Sequence, residues 1–479
     1  MGRKQLSTVE RYPGGICVRI LLVEPRKSPL SIGGEDVMCY EPLALEYVAA
    51  GVSDQHDVRI LDLRLDHTLQ ETLETFRPDV VGITAFTVHV NPVRRLFDQV
   101  RAWNARTLTV VGGHHATVAP QDFIWPSIDL IVRGEGVLPF QEIVARYERG
   151  EGLNGIPGLA SARSGKLVSN DYPVAVELDQ VPFPDRRLTA QYRSRYFSEW
   201  MHPLASVRTS KGCPFRCSFC TMWTLTGGRY LRRRPEKVVE ELAGLAEPYV
   251  FFADDESLVD TARMKTLASL IRESGIQKRY FLYGRSDTIA RNPELLEQWC
   301  AVGLERIFVG LEFFRDEDLR SINKGSTQDD NKRAVGILRD LGIQIWPSFI
   351  VRQEFSLADF LAYRQYVRDL GINFAGFAML TPLPGTEFYE EVKQRLTTDN
   401  YDLYDFFHTV LPTVLPLQQF HREYYRLASS AVPLKRALTL LRRWPLHEIP
   451  ATLARQSVWL GRMRRAHLDY GSEAGKAHA

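Results

Sequence analysis

The chain reads as an α/β protein in which a doubly wound, Rossmann-like domain precedes a partial (β/α)6 barrel and a mostly helical C-terminal region. Three observations predict this. Two runs of short strands rich in branched residues alternate with amphipathic helical patterns, a proline- and glycine-rich stretch divides the runs, and the alternation stops after the second. The expected parts are a flexible N-terminus at 1–18, the doubly wound domain at 19–150, a linker at 151–201, the barrel at 202–390 and the C-terminal region at 391–479.

The first run opens with RILLVEP from Arg19, a helical EPLALEYVAAGV and HDVRILDL, each bounded by turn formers. PDVVGITAF from Pro78, a helix around VRRLFDQVRAW, TLTVVGG ending at Gly113 and DLIVRGEG ending at Gly136 continue it. Strands separated by helices favour a parallel sheet covered on both faces. The linker carries GLNGIPG, an SGK turn at Ser164 to Lys166 and DQVPFPD from Asp179, a short β excursion among turns. Six further strands follow in ASVRTSKG, YVFFADDES, YFLYGRSD, RIFVGLE, IQIWPSFIV and NFAGFAMLTPLPGT. In a barrel of this kind the chemistry belongs at the C-terminal strand ends.

With 44% apolar and 25% charged residues in 479, the chain has the balance of a folded soluble protein and excludes a disordered one. A net charge of +2 supplies no global field for nucleic acid. Only six cysteines occur, and three crowd into one short window, which fits a reducing cytoplasm better than a disulfide framework. No apolar leader segment and no run of about 18 apolar residues is present, so neither an export signal nor a membrane anchor is expected.

That window, KGCPFRCSFC, places Cys213, Cys217 and Cys220 after the first barrel strand. Three thiolates can ligate three irons of a 4Fe-4S cubane and leave the fourth open, whereas a zinc site or a closed cluster needs a fourth ligand nearby. C-x3-C-x2-C with Phe219 before the last cysteine resembles the signature of the radical S-adenosylmethionine (SAM) superfamily. The resemblance implies that the open iron chelates SAM and that one electron cleaves it to a 5′-deoxyadenosyl radical. It further implies that Asp254, Asp255 and Glu256 of FFADDES receive the SAM amino group, acids replacing a more usual glycine-glycine-glutamate, and that Arg285, Gly310 and Glu312 approach its carboxylate and ribose. Taken alone, each of these charges also reads as an ordinary paired or solvated one. FIVRQEF at Phe349 to Phe355 departs from the glycine-proline loop of similar proteins.

A doubly wound domain ahead of such a barrel is similar to the cobalamin-binding domain of the class B radical SAM methylases. The resemblance implies a cobalamin cradle of Gly112, Gly113, Gly134, Glu135 and Gly136, glycines that let backbone approach a ligand closely. A D-x-H-x-x-G signature is missing, so no histidine is expected on cobalt from that turn. His114 and His115 remain either cobalt neighbours or ordinary hydrogen-bonded residues. A ligand-free flavodoxin-like scaffold is the competing reading of the whole domain.

EPLALEYVAAG, AEPYVFFADDES and LTTDNYDLYDFFHTVLPTVLP look most like the hopanoid C-3 methylases. This implies a cobalamin-dependent C-methyltransferase acting on a small-molecule, lipid or hopanoid-like, substrate, with a flavodoxin or ferredoxin as reductant. A cobalamin-dependent cyclase or oxidation enzyme is the alternative, and a non-catalytic cobalamin-responsive binding protein is the alternative of another class. Tyr401, Tyr404, Phe406, Phe407 and His408 read either as the lining of an apolar pocket or as core. Lys435, Arg436, Arg442, Arg443, Arg455, Arg462, Arg464 and Arg465, with Trp444 and Trp459 among them and Glu448 the one acid, read either as a peripheral membrane contact or as the solvated face of packed helices.

Overall fold

The computed structural model describes residues 17–36, 38–163, 165–171, 176–372, 374–430 and 449–470. The N-terminal half contains strands β1 (Arg19–Glu24), β2 (Met38–Cys39), β3 (Asp57–Asp62), β4 (Val80–Thr84), β5 (Leu108–Gly112), β6 (Leu130–Val132), β7 (Leu159–Arg163) and β8 (Lys166–Ser169). All but β2 form one sheet in the order β3-β1-β4-β5-β6-β7-β8, parallel as far as β6 and closed by an antiparallel hairpin. Alternation sends Leu21, Val23, Val81 and Ile83 into one core layer and Ile20, Leu22, Val80 and Val110 into the other. Each such buried side chain contributes about 1.5–3 kcal/mol of transfer free energy. The order reverses at β1, and ligands of doubly wound sheets sit outside the strand C-termini at such a point.

Two differences from the expected boundaries have physical causes. Val18, expected in the N-terminal segment, is buried in the core, its amide bonded to His56. The linker excursion, β7 and β8, pairs with β6 and extends the N-terminal sheet to Ser169.

The second half contributes β9 (Phe197–Ser198), which pairs with β2, then β10 (Leu204–Val207), β11 (Ser210–Lys211), β12 (Leu231–Arg232), β13 (Tyr249–Phe252), β14 (Arg279–Arg285), β15 (Leu304–Glu312), β16 (Gln344–Val351) and β17 (Gly376–Met379). Six of them form a parallel sheet in the order β10-β13-β14-β15-β16-β17, the partial barrel. One face packs on helices through Val250, Phe252, Tyr280, Leu282, Ile307 and Val309. The other gathers Phe251, Phe281, Tyr283, Phe308 and Trp346.

The linker bolts the halves together. Arg186 bonds Glu241 of the barrel at 2.8 Å, and Arg193 pairs with Glu247 at 2.5 Å and with Glu41 of the N-terminal domain. Glu41 also accepts the amide of Ser206 in β10. Leaving one partner of such a buried pair uncompensated costs on the order of 3–5 kcal/mol, which opposes rotation of one domain on the other.

The C-terminal region is less helical than expected at its start. Residues 396–416 hold only the short turn Tyr401–Leu403, because Pro412, Pro416 and the Asn400 and Asp405 side chains favour turns over a helical ladder. Helices Leu417–Ser430 and Ile449–Arg465 follow. Met463 and Ala466 are buried against the barrel and Trp459 packs beside them, so the described part of the last helix is docked. Lys435, Arg436, Arg442, Arg443, Trp444 and Glu448 lie outside the described residues.

Candidate functional site: a cysteine loop beside an interdomain cleft

The loop after β11 carries all three motif cysteines: Cys217 is buried, Cys213 and Cys220 half-buried. Gly212 starts the loop at φ +87°, and a Cβ there would lie 2.1 Å from the Arg229 carbonyl oxygen, so glycine alone permits the turn. Burial pushes the Cys213 thiol up to about 11 and that of Cys220 to about 12, so ligation has to displace their protons. Among the described residues no three His, Cys, Asp or Glu side chains stand at the spacing that holds one metal ion. A cubane suits the loop instead, since each thiolate takes its own iron. The donor set therefore fits a cluster with one open iron.

The neighbouring strand ends supply charge. Arg285, at the end of β14, holds Nη1 3.9 Å from the Cys217 sulfur, lies 3.9 Å over the Phe215 ring and bonds Asp287 at 2.9 Å. Glu256 is buried nearby and accepts the amides of Leu258 and Arg285, both at 3.3 Å; burial pushes its carboxyl up to about 7. Glu312 pairs with Lys324 at 2.6 Å in the interior. Its φ of 59° is a left-handed conformation that costs a non-glycine residue roughly 1–3 kcal/mol. A Cβ on Gly310 would sit 2.4 Å from the Glu312 carboxylate, which is why that strand position is bare.

The three adjacent acids of β13 and its loop part company. Asp254 accepts from the Thr209 amide (2.7 Å), the Thr209 hydroxyl (2.7 Å) and the Ser210 amide (2.8 Å), so both its oxygens brace the approach to the cysteine loop. Asp255 accepts the Gly212 amide at 2.6 Å and faces the interdomain cleft. Glu256 is the one that stays with Arg285.

That cleft lies open between the C-terminal edge of the first sheet and the barrel. Gly112, Gly113, Gly134, Glu135 and Gly136 all line it, together with Leu178 and Val181 of the linker and Arg208, Lys211, Arg233 and Asp255 of the barrel half. At Gly113, φ +100°, a Cβ would lie 2.7 Å from the Ala85 amide nitrogen, so only glycine fits this turn. The Tyr47 hydroxyl is buried at the cleft without a hydrogen-bond partner among the described residues. A wide, glycine-edged cleft with an orphaned donor fits a large cofactor carrying amide groups.

The two histidines are separated by the turn that bears them. His115 is buried and held by Asp122 at 2.9 Å and Thr87 at 3.1 Å, away from the cleft. His114 lines the cleft against the edge of Phe86, and burial beside Arg208 and Lys211 pushes its imidazole down to about 3. The aromatic cluster of the C-terminal strap lines no part of this cleft. Tyr404 and His408 are buried, Tyr401 bonds Asp122 at 2.8 Å and Phe406 is 43% exposed, because the strap packs on both halves from outside.

Residues 31–144 match the family model for the B12 binding domain and residues 207–362 that of the Radical SAM superfamily. The chain is 31% identical over 392 residues to the hopanoid C-3 methylase of Methylococcus capsulatus, covering 80% of this chain and 75% of that one. It belongs to the cobalamin-dependent radical SAM methylases. Members of this family use a 4Fe-4S cluster, SAM and cobalamin. The chain is also 28% identical over 419 residues to the anaerobic magnesium-protoporphyrin IX monomethyl ester cyclase of Rubrivivax gelatinosus, covering 83% of this chain and 74% of the other. The solved structure of the radical SAM methyltransferase TsrM from Kitasatospora setae, with cobalamin and [4Fe-4S] cluster bound, shares the fold at a TM-score of 0.64, 23% identity and coverage of 79% and 78%.

Sequence reasoning did not single out Tyr47, Thr117, Arg208, Lys211 or Lys324. Thr117 accepts the Gly134 amide at 2.9 Å and so ties the two glycine turns together. The signal for Lys211 was available, since it stands two residues before Cys213; that for Tyr47 was not, because nothing local separates it from a core tyrosine.

Proposed function

We propose that this protein transfers a methyl group to an unactivated carbon of a small, hopanoid-like lipid. The observation that carries the reading is adjacency: Lys211 and Asp255 line the corrinoid cleft, and the backbone that joins or bonds them, at Gly212, leads directly into Cys213. When bound, the cluster with SAM supplies a 5′-deoxyadenosyl radical and the corrinoid supplies the methyl group. Cys213, Cys217 and Cys220 hold the irons. Glu256 accepts from the SAM ammonium, and Arg285 with the Glu312–Lys324 pair fixes the carboxylate and ribose side. The glycines at 112, 113, 134 and 136 seat the corrinoid, with Glu135 holding Lys211, and the bolted domains exclude water from the space between.

The lipid class rests on likeness to the hopanoid C-3 methylase. On the last helix, Val458 (60% exposed) stands on one side with Arg455 and Arg465, a face suited to anionic lipid. A flavodoxin or ferredoxin is the class of electron donor this chemistry takes. Likeness to the cyclase favours a second reading, radical ring closure with the same cofactors. Reconstituted enzyme supplied anaerobically with methyl-labelled SAM, reductant and a membrane lipid extract separates them. A labelled product heavier by one methylene supports methylation; an unlabelled product lighter by two hydrogens overturns it for the cyclase.

A further inference from the structure

Among the described residues that line the interdomain cleft, every charged side chain but one is met by an opposite charge or a backbone group. Glu135 holds Lys211 at 2.7 Å, and Asp255 accepts the Gly212 amide at 2.6 Å. Arg233 donates to the Leu178 and Val181 carbonyls at 3.0 and 3.2 Å and pairs with Glu241 at 3.4 Å. Arg208 is the exception. It lines the cleft half-buried and makes no hydrogen bond or ion pair among the described residues.

The backbone on either side fixes where Arg208 stands. The Val207 carbonyl, at the end of β10, accepts the Ala253 amide, and Asp254 accepts the next two amides, of Thr209 and Ser210, at 2.7 and 2.8 Å. A guanidinium is thus carried into the cleft with nothing of the protein's to receive it, and five N–H donors on a permanent charge are costly to leave half-desolvated.

Two more donors share its field. Tyr47 is 5% exposed and its hydroxyl has no partner among the described residues. His114 lines the same cleft, with neither ring nitrogen hydrogen-bonded among the described residues. Burial, with Glu241 adding, keeps the Tyr47 hydroxyl protonated against the pull of Arg233 and Arg208; burial with Arg208 and Lys211 keeps His114 neutral, with one N–H to donate. Helix Leu43–Ala50, the turn after β5 and the end of β10 therefore each bring one donor group to a cleft that offers them no anion.

One uncompensated cation balances one negative charge. A phosphomonoester brings about 1.5 to 2 at neutral pH, whereas a carboxylate or a phosphodiester brings a single one. The surroundings decide between those two. On the side of the first sheet the cleft is lined by Leu22, Leu45, Val48, Val110 and Phe140, an apolar recess for an uncharged ring, and on the other side the glycine turns leave room for a flat body. An anion seated between them is joined to a group on each side, as a phosphodiester is and a carboxylate is not.

We propose that Arg208, Tyr47 and His114 form a phosphodiester pocket, and that it takes the phosphodiester of the corrinoid's nucleotide loop, the one anionic group on that cofactor's periphery. Arg208 supplies the charge and the other two supply neutral donors. The inference rests on the seating of a corrinoid in this cleft and is independent of which radical product forms.

The test is optical titration of the cluster-reconstituted protein with hydroxocobalamin and with diaquacobinamide, which lacks the phosphodiester and its nucleoside. Arg208→Met should weaken hydroxocobalamin binding about tenfold and Tyr47→Phe about threefold, each leaving cobinamide binding within about twofold of the wild type. Arg208→Lys should recover most of the loss. Equal losses for the two corrinoids overturn the proposal, since Arg208 then serves the ring or the domain contact. Unchanged hydroxocobalamin binding in both variants overturns it too; if uridylyl-(3′→5′)-adenosine then binds the cobinamide-loaded wild type and not Arg208→Met, the pocket serves a phosphodiester on the substrate instead. A wild type that binds neither corrinoid overturns the pocket together with the seating of the cofactor. Tyr47→Phe keeps the shape of the side chain and carries the test if Arg208→Met does not fold.

Discussion

Lys211 Nζ and Glu135 Oε2 meet at 2.7 Å across the domain boundary. One stands two residues before Cys213, the other between two cleft glycines, so a single ion pair joins the cysteine loop to the cleft. Burial alone would raise the Glu135 carboxyl, but the Lys211 ammonium, with Arg208 adding, holds it below its ordinary 4.5. The pair is therefore formed throughout the neutral range and lost only in acid.

Glu135→Gln should weaken corrinoid binding about tenfold, since one decade corresponds to ~1.4 kcal/mol and a half-buried pair is worth about that. Optical titration of the reconstituted protein with hydroxocobalamin measures it. Iron content should not change; a variant that loses iron instead would mean that the pair serves the cluster loop and not the cleft.

Alanine at Cys213, Cys217 or Cys220 should each remove nearly all cluster iron, because a cubane with two protein thiolates is not retained. Corrinoid should remain bound in all three, the cleft glycines lying on the other domain. Iron analysis beside the corrinoid absorption band checks both halves of the statement.

Asp254 and Glu256 stand two residues apart and should fail in different ways. Asp254→Ala orphans three donors at Thr209 and Ser210 and should cost about 2–4 kcal/mol of stability, read as a lower unfolding midpoint. Glu256→Gln keeps the shape, retains an acceptor oxygen and should leave the midpoint nearly unchanged. Its SAM dissociation constant, measured by equilibrium dialysis, should rise roughly tenfold for loss of one charge-assisted bond.

This contrast marks where the sequence stops being legible. Strand and helix alternation is written locally, as in RILLVE and VVGIT, because a strand covered on both faces needs an unbroken apolar run. The cysteine motif is local too, as is the bare glycine before it. Asp254, Asp255 and Glu256 are chemically alike and adjacent, and only the folded loop decides that one braces backbone, one faces the cleft and one faces Arg285. The register that sets Gly310 beside Ser348 and Gly376 comes from three strands and cannot be read from any one of them. The strap at 396–416 is held in turns by the Asn400 and Asp405 side chains, which accept backbone amides.

The C-terminal strap should carry its own pH dependence through His408. This imidazole is fully buried, with Nδ1 2.9 Å from Asp405 and Nε2 3.1 Å from Asp469. Burial would lower its pKa; the two carboxylates more than reverse that and raise it from 6.5 to about 9. A cationic His408 thus clamps the strap to Asp469, beside which the Tyr470 hydroxyl accepts the Thr409 amide at 2.8 Å. A raised pKa contributes stability that is fully present below pH 6.5 and is lost as pH rises through about 9. The span corresponds to roughly 3 kcal/mol at ~1.4 kcal/mol per pH unit. The unfolding midpoint and the amide-exchange protection of 469–470 should both fall between pH 7 and pH 9.5, on the order of that span. His408→Gln should start lower and stay flat across it. A wild-type profile with no slope in that window would mean that His408 is neutral in the fold and that the strap is held by packing alone.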